Sequence, residues 1–205
     1  MVRRTKAEAE QTRSLILDTA EKVFSEKGVS RTSLADIAQA AGLTRGAIYW
    51  HFANKVDLFE AMLERIELPI ESLQADIAEQ ADPLTALRDF WVRAFHEVVD
   101  DEQVRCVLSI MFHKCEYVDE MSVLLHRRDH TCCSLVEVMT QAFEKARRQG
   151  LLAAGVEPGL AALALRNFVL GTVSDWLFAP QHYDLKSLAE PLLELLLRGL
   201  RAQPR

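Results

Sequence analysis

Residues 43–55 read LTRGAIYWHFANK, and this stretch decides how the chain is interpreted. A helix beginning here turns Ile48 and Phe52 to one side, because each α-helical residue advances about 100°. The opposite side then carries Gly46, Ala47 and Trp50. Small residues allow a helix to approach another surface closely, and an outward tryptophan is poorly explained by solubility. The pattern indicates a helix built to contact a partner surface.

The residues around this stretch predict a helix-turn-helix. An apolar stripe over residues 15–24 predicts a bracing first helix. Thr32 or Ser33 can cap a short second helix, and Thr44 can cap the third. Gly42 falls in the turn between them, as expected for two short helices joined tightly. The sequence therefore predicts a three-helix head.

The rest of the chain also has helical periodicity, which predicts an all-α fold of about nine helices. Asn54 can cap a fourth helix that runs from Lys55 to about residue 81, with a bend near Leu68 caused by Pro69. Five further segments are predicted over residues 84–99, 103–115, 120–149, 159–178 and 185–202. We expect a helix-turn-helix DNA-binding domain over residues 1–57 and a ligand-binding and dimerisation domain over residues 58–205.

Composition and charge exclude several classes of protein. The 205 residues carry a net charge of −6 and are 49% hydrophobic, which is typical of neither a disordered nor a membrane protein. No apolar run approaches the ~18 residues that a spanning helix needs, and the N-terminus lacks the apolar region of a secretory signal. We therefore expect a cytoplasmic protein. Residues 1–56 carry a net +3 and the remainder −9, so the head can present a positive surface to a polyanion.

The third helix has the features of a recognition helix for the DNA major groove. Its first turns would meet base edges, while hydroxyl groups and cations around it would hold phosphates. The alternative, that Tyr49 and Trp50 are core residues, would require them on the Ile48–Phe52 side. The predicted DNA-binding residues are Thr32, Ser33, Thr44, Arg45, Gly46, Ala47, Tyr49, Trp50, His51 and Lys55. Arg3, Arg4 and Lys6 form a basic arm that could reach a minor groove.

The span from Thr12 to about Leu63 resembles the DNA-binding head of TetR-type transcriptional regulators. The resemblance rests on AEKVFSEKGVSRTSLADIAQAAGLTRGAIYWHFANKVDLF, residues 20–59. VRRTK at residues 2–6 and TRGAIYWHF at 44–52 are characteristic of the AcrR-like and TtgR-like branch, which represses multidrug efflux pumps. HKCE at 113–116 and LGTVSDWLFAP at 170–180 extend the resemblance into the body. It implies a dimeric repressor of an efflux system.

The body contains apolar and aromatic residues suited to a drug-like ligand. Each is individually expected more often in a core than in a pocket, and the polar Arg166 and Asp175 need partners if they are buried. The predicted ligand-binding residues are Met62, Ile66, Ile70, Phe90, Phe95, His96, Met111, Phe112, Cys115, Cys132, Val136, Met139, Arg166, Phe168, Asp175 and Trp176.

The C-terminal segment predicts a dimer interface. Its apolar stripe, formed by Leu188, Leu192, Leu195 and Leu196, is too rich for a solvent face. A second strongly apolar helix precedes it, and TetR-type regulators pair such helices between two copies. A two-fold operator also needs two heads. The alternative is a core within one chain.

The remaining chemistry-bearing residues favour neither a metal site nor an enzyme. His126 and His130 have a spacing that can hold a metal, but no third ligand lies nearby in sequence and charged neighbours favour a solvated face. Cys132 and Cys133 are adjacent and belong to no CxxC motif, so buried thiols are expected, with a redox sensor as the alternative. We expect no cofactor, no metal and no catalysis.

These features together predict a ligand-responsive repressor. As a homodimer it would bind a near-palindromic operator in double-stranded DNA, and a small hydrophobic or aromatic effector would release it. The alternative is a DNA-binding regulator without a small-molecule ligand, controlled by a protein partner or by its abundance.

Overall fold

A computed structural model describes residues 6–66 and 68–202, apart from the side chains of residues 119, 120 and 123–133. The described chain folds into α1 (Lys6–Lys27), α2 (Leu34–Ala40), α3 (Arg45–His51), α4 (Lys55–Leu63), α5 (Ile70–Glu79), α6 (Pro83–Asp100), α7 (Glu102–Ser109), α8 (Val123–Arg148), α9 (Pro158–Phe178) and α10 (Leu185–Leu200). The all-α prediction is confirmed. The predicted arm residues Arg3 and Arg4 lie outside the described residues, as do the side chains of His126, His130, Cys132 and Cys133.

The fourth predicted helix is divided in two. α4 ends at Leu63 and continues only as a 3-10 turn over Glu64–Ile66, and α5 begins at Ile70. Pro69 stands directly before α5 and makes no side-chain cap. Proline has no backbone N–H to donate and disfavours helical geometry in the residue before it. The expected bend is therefore a complete break between two helices.

The chain forms two compact units, and the first consists of the chain up to Glu67 together with Gln103–Arg127. Its core is lined by apolar side chains of α1 to α4, with Phe24 and Phe59 at its centre. Val107 and Ile110 join the same core, and the Val29 N–H donates to the Lys114 carbonyl at 2.9 Å. Residues 103–114 therefore pack with the helix-turn-helix. The predicted boundary after residue 57 separates a DNA-binding domain from a ligand-binding domain. The two compact units are defined by packing alone, so they do not test this boundary.

The second unit consists of Leu68–Glu102 and Arg128–Arg205. Within it α10 packs mainly against α6 through one buried stripe, formed by Leu185, Ala189, Leu193 and Leu197. Polar contacts also join its helices. The Lys145 ammonium donates to the Ile77 and Gln80 carbonyls at the end of α5, and Arg88 pairs with Glu194 at 3.0 Å.

Asp82 joins the start of α6 to the C-terminal end of the described chain. Its carboxylate accepts from the Leu84 N–H at 2.8 Å, which caps α6, and it pairs with Arg201 at 2.8 Å. Burial alone would raise the pKa of Asp82. The hydrogen bonds from Arg201 and Leu84 and the Arg201 charge outweigh burial, so the pKa lies below its ordinary value of 3.8.

The Arg201→Met variant is expected to lower the free energy of unfolding by about 1 kcal/mol near pH 7, because it removes a half-exposed charge-assisted hydrogen bond. Since folding lowers the pKa of Asp82, this stabilisation is present above pH 3.8 and is lost as pH falls through the folded-state pKa. Urea unfolding of both proteins at neutral and acidic pH measures the difference. Arg148→Met, which removes a long, exposed pair with Glu144, is the control. A difference in the free energy of unfolding between Arg201→Met and the unsubstituted protein that stays constant on acidification would contradict the pairing of Asp82 with Arg201.

Candidate nucleic-acid interface

Side-chain caps fix the ends of the helix-turn-helix formed by α2 and α3. The Ser33 hydroxyl accepts from the Asp36 N–H at 3.2 Å, and the Asp36 carboxylate accepts from the Ser33 N–H at 2.8 Å. The turn passes through Gly42, whose φ of +68° favours glycine. Thr44 then caps α3 by accepting from the Ala47 N–H at 3.2 Å. The capping predictions for Ser33 and Thr44 are confirmed.

The two sides of α3 differ sharply. Ile48 and Phe52 are buried against the first unit's core, as the sequence predicted. Trp50 is 73% exposed and Tyr49 is 45% exposed. Arg45 and Gly46 are also exposed, whereas Ala47 and His51 are half-buried. The helix therefore anchors itself by one apolar side and presents aromatic and cationic groups on the other.

The exposed side chains of α3 contact one another. The Arg45 guanidinium lies over the Tyr49 ring, 5.5 Å from its centre, and the Trp50 and His51 rings meet edge to face at 4.6 Å. A guanidinium at the start of a helix can donate two hydrogen bonds to a guanine edge. Stacking on Tyr49 restricts the guanidinium before any partner binds, which reduces the entropy lost on binding.

A shallow groove of about 420 Å³ lies beside the start of α2. Its lining includes Arg31, Ser33, Tyr49, Asn54 and Lys55. Arg31 is exposed, and its Nε donates to the Lys27 carbonyl at 2.9 Å. Arg31 was missed from the sequence, although its place just before the Thr32–Ser33 capping pair was an available signal. The groove has the hydroxyl groups and cations that suit a phosphate.

Three of the residues predicted to contact phosphate already have hydrogen-bond partners within the protein. The Thr32 hydroxyl is buried and donates to the Gly28 carbonyl at 2.8 Å. The Ser33 hydroxyl and N–H both donate to the Asp36 carboxylate, which lowers the pKa of Asp36. The Lys55 ammonium is buried and donates to the Val29 and Thr32 carbonyls at 3.1 and 3.2 Å. These residues therefore shape the groove, and their contact with DNA stays a prediction.

Lys55→Met is expected to lower the free energy of unfolding by about 1–3 kcal/mol, because it removes a buried donor from the Thr32 carbonyl and one of two donors from the Val29 carbonyl. The exposed Lys22→Met removes the same charge from the first unit and should change stability far less. Urea unfolding measures both. An equal loss of stability in the two variants would contradict this role of Lys55.

Operator binding by the same pair tests the predicted phosphate contact. If the Lys55 charge acts on a phosphate, only Lys55→Met flattens the slope of log K against log salt concentration, by about one unit. A slope identical to that of the unsubstituted protein would remove Lys55 from the phosphate contacts.

A buried carboxylate lies at two of the three points at which the chain passes between the units. Glu21 on α1 accepts from Arg65 at 2.7 Å, just before the chain leaves the first unit, and from Gln103 at 3.1 Å, where it returns. Burial raises the pKa of Glu21 above its ordinary value of 4.5, although hydrogen bonds from Gln103 and Arg65 and the Arg65 charge oppose the shift. This cluster was not predicted from the sequence. The sequence offered one indication of it, because the acidic Glu21 lies four positions after Leu17 and therefore on the same side of α1 as this buried residue.

The predicted ligand-binding residues are divided between the two units. The core of the first unit, or the layer packed against it, contains Met62, Ile66, Met111 and Cys115. Phe112 follows Met111 in the sequence and is half-buried. The other described residues of the set belong to the second unit. Those that are buried there are Phe90, Phe95, Met139 and Trp176, and those that are half-buried are Ile70, His96, Val136, Arg166 and Phe168. Asp175 is exposed. Cys132 lies outside the described side chains. The assignment of these residues to one pocket stays a prediction.

The predicted dimer residues lie on the outer side of α10. Leu195 is 74% exposed and Leu188 is 39% exposed, while Leu192 and Leu196 are half-buried. They are distinct from the fully buried stripe that packs on α6. α9 also exposes apolar side chains, with Leu160 at 67% and Phe178 at 78%.

Comparison with protein-family models decides the class of protein. Residues 16–62 match the model of bacterial regulatory proteins of the tetR family. Residues 82–202 match the model of the C-terminal region of MAATS-type transcriptional repressors. The chain belongs to the TetR family of regulators. The family predicted from the sequence is confirmed.

The TetR-family chain is similar to known regulators over nearly its whole length. It is 40% identical to the HTH-type transcriptional regulator AcrR of Shigella flexneri over 199 residues, which cover 96% of this chain and 93% of that protein. It is also 40% identical to NalD, the secondary repressor of the MexAB-OprM multidrug efflux pump in Pseudomonas aeruginosa. That structure superposes with a TM-score of 0.90, covering 96% of this chain and 98% of NalD.

A complex of SmeT with triclosan is a second similar structure. SmeT is the repressor of the Stenotrophomonas maltophilia multidrug efflux pump SmeDEF. The TetR-family chain is 34% identical to it, with a TM-score of 0.81 over 94% of this chain and 92% of SmeT. None of the helices in the described part of the chain has the length and apolar character needed to cross a membrane.

Proposed function

We propose that this TetR-family chain is a ligand-responsive repressor of a multidrug efflux system. It binds a near-palindromic operator as a homodimer and leaves it when a hydrophobic, aromatic compound binds. The observation that carries the proposal is the exposed side of α3, with Arg45, Gly46, Tyr49 and Trp50 presented from a buried anchor. The relation to NalD and SmeT, both repressors of efflux pumps, supports the choice of regulated genes.

The proposed DNA contact follows from the geometry of the first unit. The first turn of α3 enters the major groove, where Arg45 reads a base edge and Gly46 allows close approach. The Tyr49 hydroxyl and Arg31 hold phosphates from the groove beside α2. The predicted basic arm of Arg3, Arg4 and Lys6 reaches an adjacent minor groove. The DNA-binding domain is then residues 1–57, and the remaining residues bind the ligand and the second copy.

The proposed dimer uses the outer faces of α9 and α10. Leu195, Leu160 and Phe178 together present more apolar surface than a lone solvent-facing helix pair would retain. A second copy related by two-fold symmetry would cover both helices and present two heads to successive major grooves. We propose that the protein acts in the cytoplasm without catalysis.

The proposed release depends on the segments that join the units. Arg65 and Gln103 hold two of the three crossings to Glu21 on α1, so a displacement at either of them acts on α1, which packs on α2. Pro69 leaves a break between α4 and α5 at which such a displacement can occur. An effector needs about 5.5 kcal/mol of differential affinity to shift a 1:99 balance to 99:1. Binding of operator must weaken effector binding by the same factor.

Footprinting tests the proposal. DNA upstream of this gene and of its neighbours is footprinted with the full chain. The footprint is measured first with the protein alone and then with a panel of hydrophobic aromatic drugs that includes triclosan. A protected near-palindrome that is lost with a member of the panel supports the proposal. Protection that no compound changes would instead favour a regulator controlled by a protein partner or by abundance. The absence of any protected site would overturn the repressor function.

A further inference from the structure

One buried donor in the second unit has no hydrogen-bond partner among the described residues. The Trp91 side chain on α6 is 4% exposed, and its indole N–H is the buried side-chain polar atom left without an acceptor there. Trp176, in the same unit and 6% exposed, donates its indole N–H to the Tyr183 carbonyl at 3.2 Å. Buried polar groups are paired in the great majority of cases, so the Trp91 donor requires an explanation.

The surroundings of Trp91 are apolar. Leu87 and Phe95 lie one turn before and after it on the same side of α6, and both are fully buried. The Phe90 ring meets the Trp91 ring edge to face, with 5.1 Å between their centres. A hydrogen bond formed in such surroundings is stronger than one formed in water, and an unmade one destabilises more.

The interior of the second unit also restricts the charge of a ligand. Among the described residues, the buried polar or charged ones are Glu21, Thr32 and Lys55, which all belong to the first unit. An ionised compound among the described buried residues of the second unit would therefore find no fully buried opposite charge to compensate its loss of water, because charged side chains of that unit such as Arg88 and Arg166 are only half-buried. A neutral compound avoids this penalty. An indole N–H can only donate, so the complementary ligand group is an acceptor.

We propose that the Trp91 indole N–H is the polar anchor of the effector site. The effector class is a neutral aromatic compound with an oxygen acceptor, such as a ketone, between or beside its rings. The acceptor takes the Trp91 hydrogen bond while the rings contact the apolar side chains of the second unit. This inference rests on the proposed ligand response and assigns its ligand chemistry.

Benzophenone and diphenylmethane test the proposal, because they have similar shapes and differ in one carbonyl acceptor. Equilibrium binding to the full chain is expected to favour benzophenone by about 3- to 10-fold, the net effect of one neutral hydrogen bond. In Trp91→Phe the preference should fall to within about twofold, because the variant keeps an aromatic ring and removes the donor. Circular dichroism and thermal unfolding establish that the variant is folded.

A spectroscopic measurement keeps the test independent of that variant's stability. The chain contains three tryptophans, so a nitrogen-15 spectrum gives an indole resonance for each. Benzophenone should move the Trp91 indole proton downfield, as a new hydrogen bond does, and diphenylmethane should not. Equal affinities for the two compounds, a preference that survives in Trp91→Phe, or failure of both to bind would overturn the inference.

Operator binding separates this inference from the proposed function. A chain that binds its operator and is released equally by both compounds keeps the repressor function and loses the role of Trp91. A chain that binds no operator, yet prefers benzophenone through Trp91, keeps the site and loses the repressor function.

Discussion

Replacing Leu195 with glutamate is expected to convert the proposed dimer to a monomer and to lower operator affinity by about 10²- to 10⁴-fold. That range is the factor by which two linked binding modules exceed one. Leu195 is 74% exposed in the single chain and lies on the outer side of α10, away from the stripe packed on α6. Glutamate at this position would place a charge in the centre of an apolar interface, where it would have no water and no partner.

Analytical ultracentrifugation and operator titration measure the two effects. Circular dichroism should be unchanged, because the substituted side chain makes little contact within its own chain. Gln149→Glu, an exposed change of the same charge at the end of α8, should leave both assembly and affinity intact. A Leu195→Glu protein that remains dimeric would place the interface elsewhere.

Replacing Arg45 with alanine is expected to relax the preference for one base pair in each operator half-site by about 1–3 kcal/mol. Arg45 is exposed at the first position of α3, where a recognition helix meets base edges, and its guanidinium is already held over the Tyr49 ring. Operators carrying each base at each position of one half-site, titrated with both proteins, locate the affected base pair.

Arg31→Ala is the matched comparison, since it removes the same side chain from the groove beside α2. We expect Arg31→Ala to weaken binding to all of these operators equally and to flatten the log–log salt slope by about one unit, as loss of a phosphate contact does. Arg45 would lose its proposed role as a base reader if its variant behaved in this same uniform way.

The parts of the fold that local chemistry dictates were predictable from the sequence. The caps at Ser33, Thr44 and Asn54 and the buried Ile48–Phe52 side of α3 all follow from signals within a few residues. The break at Pro69 was predicted only as a bend, because periodicity continues across it and helix termination depends on how the chain packs. The sequences of α9 and α10 contain more apolar residues than one helix face can hold. The structure divides these residues between a buried stripe and an outer one.

The parts of the site that depend on tertiary contacts were not predictable. Lys55 reads as an ordinary solvent-facing cation, but its ammonium bonds to carbonyls 26 and 23 residues earlier in the chain. Gln103 and Glu21 are 82 residues apart in sequence, so no local pattern indicates their contact. The unpartnered Trp91 N–H likewise depends on which acceptors the fold brings near it. Sequence therefore predicted the caps and the buried side of α3 more accurately than the tertiary contacts that support this helix.

Operator recognition by α3 is tested by measuring the affinity of the intact chain for the footprinted DNA and for a scrambled fragment of equal length. Fluorescence anisotropy at a fixed salt concentration gives both values. An operator-specific repressor should bind the footprinted fragment at least about 10³-fold more tightly. Equal affinity for the two fragments would contradict the assignment of α3 as a recognition helix and, with it, the proposed function.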